Sequence, residues 1–295
     1  MSTGWFYRLL RPAALRPGTG VALQPRAVTV TAVPLAGLLL TGLLVIATAS
    51  AKPLATDFEP GAGNHLNPGY VARSFAAIVH GREYEAGSFP LSKWVGEIRF
   101  AIEEQVQEPV QRQLVLMHFK QLGELTGLRI REVGVKEANL HILFTRQRDW
   151  EGEVKRRLGA KAAANLHGAV CLAHFEAPGG VIRRAQVFIP VDQARMHGKL
   201  VSCVVEELTQ VLGLPNDSEA IFPSVFNDKA AADLLTPMDW VLIRLLYQDA
   251  LKPGMSRTQT APIIAEQLAI WLADGTLASA ESEVRRGELY RLLGR

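Results

Sequence analysis

Cysteine is nearly absent from this chain: two occur in 295 residues, Cys171 and Cys203, and they do not form a C-x-x-C pair. Other site patterns are missing as well. There is no G-x-S-x-G elbow, no P-loop and no G-x-G-x-x-G after a strand, which counts against nucleophile-elbow hydrolases and the nucleotide-binding folds. Acidic residues are missing from the first 51 positions, where Arg8, Arg11, Arg16 and Arg26 stand alone. Removing these four from 32 basic residues leaves 28 against 29 acids. The formal charge of +3 and the pI of 8.9 therefore belong to the leader, and nucleic-acid binding, which needs a basic face on the folded domain, drops out.

What is present begins with that leader. A basic start, an apolar run from about Ala27 to Ala47 and the small-residue pattern Ala49-Ser50-Ala51 read as an export signal. The run is also close to the ~20 residues that span a bilayer, so a retained anchor is the rival reading. Both readings put the domain outside the cytoplasm, periplasmic, secreted or membrane-anchored, and any membrane contact runs through this segment alone. An oxidising compartment permits a disulfide between Cys171 and Cys203. Two buried thiols are the alternative, and both stay open.

Four regions follow from composition: 1–51 as signal or anchor, 52–69 as a Pro- and Gly-rich linker, 70–250 as the main domain, and 251–295 as a helical extension. Residues 94–102, 128–133 and 138–145 alternate with a period of two and read as strands, while 110–125 carries apolar residues at helical spacing. Residues 150–166 read as a surface helix. Residues 168–175 and 185–190 read as a hairpin around Pro178-Gly179-Gly180, and Thr236-Pro237 opens a helix with Asp239 in its first turn.

The most informative stretch is residues 199–216, KLVSCVVEELTQVLGLPN. On a helix, Leu200, Val201, Val204, Val205, Leu208, Val211 and Leu212 form an apolar stripe, opposite Cys203, Glu206, Glu207 and Gln210; Gly213 follows as a cap. Zinc helices of the H-E-x-x-H type need ligands at i and i+4 with a Glu at i+1, and the extended form adds a Gly turn and a third ligand. Glu206, Glu207, Gln210, Gly213 and Asn216 occupy those places.

With LGL at 212–214, LLTPMDW at 234–240 and LIRLLY at 242–247, the segment 206–247 resembles the metzincin metallopeptidases, especially the matrixin branch. The wording EELTQ-x-LGLPNDS, PS-x-FND and LLTP-x-D is similar to a bacterial domain-of-unknown-function family, number 2927, whose members are described as exported. The resemblance implies an α+β, zincin-like fold, with a mixed twisted sheet of about five strands packed on two to three helices. It also implies that Glu206, Gln210 and Asn216 stand where the family has zinc-binding histidines, with Glu207 at the general-base position. The methionine turn of that family is not recognisable at PSVFND, 223–228.

Zinc prefers thiolate, imidazole and carboxylate, and amide oxygens suit harder cations. No cofactor is implied by these residues, with zinc and calcium left open. A rebuilt metal site would draw on Cys203, His174 or His197; the plain reading is a hydrogen-bonded strand residue for His174 and a helix-start or surface residue for His197. Three functional readings result: a non-catalytic cleft that takes a protein or peptide or supports an envelope assembly, a variant metal-dependent hydrolase using Glu207, and a calcium module using Glu206, Gln210, Asn216 and Asp217.

Overall fold

The sheet is built from short β-branched and aromatic segments whose side chains alternate between two covered faces. The computed structural model describes residues 65–82, 86–164, 166, 168–227, 229 and 232–294; the leader and most of the expected linker lie outside them. Strands β1 (Ile98–Glu104), β2 (Ile130–Glu132), β3 (Leu140–Thr145), β4 (Leu172–Glu176) and β5 (Arg184–Pro190) form one sheet in the order β2-β1-β3-β5-β4. β1 pairs in parallel with β2 and β3, and β3 with β5. β4 runs antiparallel to β5 at the edge, with His174 opposite Gln186.

Parallel central strands need cover on both faces, and both faces have it. Leu140, Ile142 and Phe144 of β3 join Val187 and Ile189 of β5 in the main core, while Leu143 and Phe188 point the other way onto Trp150 and Val154. The latter two come from α3 (Gln147–Leu158), followed by α4 (Ala160–Ala164).

The main-core face is covered by α2 (Pro109–Thr126) and α6 (Leu200–Gln210), which pack on each other. Around them lie α1 (Pro68–His80), α5 (Val191–Met196), α7 (Pro237–Leu246), α8 (Arg257–Ala273), α9 (Thr276–Val284) and α10 (Glu288–Leu293). The five-strand mixed sheet is as expected, and the helices on the sheet together with the helical extension number ten among the described residues. α8 packs on α1 and α10 on α2. Leu268, Trp271, Ala280 and Leu289 share the main core, so the residues after 250 belong to the same packing. Among the described residues no helix is long and apolar enough to cross a membrane.

The loop between α6 and α7 is held by one carboxyl. Asp239 accepts hydrogen bonds from Ser224 Oγ at 2.6 Å, Val225 N–H at 3.1 Å, Thr236 N–H at 2.8 Å and Thr236 Oγ1 at 2.9 Å. It completes a capping box with Thr236. Burial pushes its carboxyl up to about 6 against the pull of these donors.

Candidate functional site

Helix α6 sets its polar face beside β4, an edge strand of the sheet among the described residues. Lys199, Ser202, Cys203, Glu206, Glu207 and Gln210 recur at spacings of three and four, which puts them on one side. All six line a cavity of about 430 Å³, closed by residues 168–173 ahead of and within β4 and by Asp217. The face is polar yet covered: Glu207 is 5% exposed and Gln210 7%.

The end of α6 is fixed from three directions. The Trp94 indole donates to Val211 O at 2.8 Å and the Tyr247 hydroxyl to Leu212 O at 2.8 Å, satisfying carbonyls that a helix terminus leaves unpaired. Gly213 then turns the chain at φ 114°, and a Cβ there would lie 1.9 Å from Ser92 O. Only glycine fits. From below, α2 presents His118, whose Nε2 lies 3.0 Å from Val205 O and 3.0 Å from Thr209 Oγ1. Complete burial pushes that imidazole down to about 3, so it is neutral and its Nε2–H donates to the Val205 carbonyl.

Beyond the turn the predicted ligand positions part company. The Gln210 amide donates to Asp217 Oδ1 at 2.9 Å. Asn216 donates instead to Ala77 O at 3.1 Å, at the end of α1, with its amide packed against Gly81, where a Cβ would come within 2.5 Å of it. Glu206, Glu207 and Gln210 thus share the cavity, and Asn216 is turned out of it, with Asp217 in its stead.

Cys171 and Cys203 form a disulfide, with Cα atoms 5.9 Å apart. This decides between the two readings of the cysteines and removes Cys203 as a metal donor. His174 sits exposed on β4 and His197 caps α5, and neither lines the cavity. Zinc needs thiolate, imidazole or carboxylate groups converging on one point. Among the described residues no imidazole lines the cavity, and no group of three His, Cys, Asp or Glu is placed to hold a metal ion. With one amide engaged by Asp217 and the other by α1, the donor set does not fit a zinc centre. Of the oxygens considered for calcium, those of Glu206, Gln210 and Asp217 are at the cavity and that of Asn216 is not.

The model of the family described as Protein of unknown function (DUF2927) matches residues 68–266. The chain belongs to this family. In the DUF2927 domain so defined, the match opens on the first residue of α1, takes in the sheet, the whole cavity and α7, and ends inside α8. No curated protein matches the chain.

Lys199, Ser202 and residues 168–170, 172 and 173 of the cavity wall were not picked out from the sequence. For Lys199 and Ser202 the signal was available, since both continue the helical spacing of Cys203, Glu206 and Gln210. On the β4 side the one signal was the possible Cys171–Cys203 pairing, and the rest of that wall is brought over α6 by the register of the sheet.

Proposed function

We propose that this chain is an exported protein with a metzincin-like domain, whose cleft between β4 and α6 binds an extended peptide or protein segment without catalysis. The observation that carries the reading is the edge position of β4 among the described residues, with the cross-link one residue before it and a polar cavity alongside. An unpaired strand edge offers main-chain donors and acceptors to an incoming strand, and an adjoining pocket receives one of its side chains. The metzincin likeness is supported by the strand, helix, strand, strand, hairpin order, by the Gly213 turn after α6, and by Tyr247 of the LIRLLY segment closing onto that turn. Export is supported by the leader motif and by a disulfide that suits an oxidising compartment. A non-catalytic role is supported by the donor set, because Glu207 has no imidazole or thiolate beside it in the cavity to help hold a metal that would activate a water.

A second reading is favoured by the place of Glu207, buried and lining the cavity: a hydrolase in which this carboxylate is the general base. One experiment separates the two. The full chain is panned against a random heptapeptide display library, and retained peptides are synthesised, titrated against the protein and assayed for cleavage, alongside metal analysis. The binding reading expects saturable affinity, intact peptides and no stoichiometric metal. Chelator-sensitive cleavage that Glu207→Gln abolishes would overturn it in favour of the hydrolase.

A further inference from the structure

The two cysteines join the two elements that line one cavity. Cys203 lies on the floor helix α6 and is 1% exposed, while Cys171 stands one residue before β4 and is only partly buried. Both line the cavity itself. They are the only two cysteines in the sequence, so no other thiol of the chain competes for either sulfur. Their bond spans 32 positions, and the segment it closes runs through β4, β5 and α5. β5 is held on its far side by six register pairs with β3, whereas β4 has β5 as its one strand neighbour. Opening the bond therefore acts on the edge strand and the rim before it, with the rest of the sheet still paired.

We infer that the Cys171–Cys203 disulfide is a redox gate on the cleft: closed, it holds the β4 edge against α6, and opened, it releases that edge. The co-reactant is a dithiol. Its thiolate enters from the cleft and attacks the sulfur of Cys171, the less buried of the two residues, forming a mixed disulfide, and Cys203 leaves as a thiolate that takes up a proton. The second thiol of the reductant then attacks its own sulfur in the mixed disulfide and expels the Cys171 thiolate. The reductant departs as a disulfide, and two electrons have moved to the protein. For its consequence on ligand binding the gate rests on the cleft proposed above; the gate itself is read without any ligand.

The test uses the full chain, oxidised and after native treatment with dithiothreitol, with alkylation and mass measurement to count opened thiols. Amide hydrogen exchange is followed in both forms. The gate predicts two alkylated cysteines, unchanged far-UV circular dichroism, and exchange in residues 168–176 that rises at least about tenfold more than the rise shared by β1, β3 and α2, which reports the loss of global stability alone. The double variant C171S/C203S reproduces the reduced pattern and no longer responds to dithiothreitol. Three results would each overturn the gate: a bond that resists dithiothreitol in the folded protein, an exchange pattern that does not change on reduction, or a rise in residues 168–176 no larger than that in β1, β3 and α2. Peptides selected on the oxidised chain are then titrated against the reduced one, where affinity falls at least about tenfold. If exchange responds as described and no peptide was ever retained, the gate stands and the binding reading fails.

Discussion

The hydroxyl of Tyr247 donates to the carbonyl of Leu212 across 2.8 Å, joining the end of α7 to the end of α6. The same oxygen lies 3.4 Å from the Trp94 amide, so one phenol ties together the chain entering β1 and both helices that frame the turn at Gly213. Tyr247→Phe strips a buried carbonyl of its donor and is expected to cost about 1–3 kcal/mol in urea unfolding. Gly213→Ala, with a left-handed φ and a main-chain oxygen in the way, is expected to cost more. A Gly213→Ala protein as stable as wild type would contradict the close approach to Ser92.

Asn216 is predicted to matter for α1 and not for the cleft. Its amide bonds the last turn of that helix, so Asn216→Ala should lower stability by about 1–2 kcal/mol. Affinity for cleft-binding peptides should be unchanged, while Glu206→Lys, which reverses a charge in the cavity, should weaken it. An Asn216→Ala variant that keeps its stability and loses peptide affinity would place the side chain back in the cleft.

The buried imidazole of His118 makes the domain sensitive to acid. Unfolded, this group titrates near 6.5, and folded it is held down to about 3. Its contribution is therefore whole above pH 6.5 and drains away as the pH falls through that interval, because the unfolded chain accepts a proton that the native state refuses. At 1.36 kcal/mol per unit, the loss between pH 7 and pH 5 is about 2 kcal/mol. His118→Gln keeps an N–H donor for Val205 and cannot titrate. Urea unfolding at the two pH values should show wild type losing about 2 kcal/mol more than the variant, and equal slopes would refute the assignment.

Removing the disulfide through C171S/C203S should lower stability by about 3–4 kcal/mol, since a loop of this length loses that much constraint in the unfolded state. Calorimetry would report it as a lower midpoint with a still cooperative transition. An unchanged midpoint would mean that the unfolded chain is already compact around this segment.

Period and punctuation made much of the fold legible. The alternation of Ile98, Phe100 and Ile102 marked β1, and Leu114, His118, Leu122 and Leu125 marked α2. Other signals were present and passed over. Asn67-Pro68, set down as linker, is the cap of α1: the Asn67 side chain accepts from Gly69 N–H and Tyr70 N–H, and Val71, Phe75 and Ile78 follow at helical spacing. Ser256 and Gln259 form a capping box that fixes the start of α8 inside the stretch read only as a helical extension. In the site, the helix periodicity correctly gathered Glu206, Glu207 and Gln210. It could not say which of two adjacent residues, Asn216 or Asp217, turns back toward them, because past Gly213 the direction of a side chain is set by long-range packing on α1.

The cross-link also changes how the molecule would behave under tension. In the oxidised chain the span of 32 positions between Cys171 and Cys203 is bypassed by a covalent shortcut, so a pull on the two ends never loads β4, β5 or α5 along their own chain. Stretched to its limit, the oxidised protein should be roughly 100 Å shorter than the reduced one, at about 3.3–3.6 Å per residue. An optical trap would read that difference directly as hidden length.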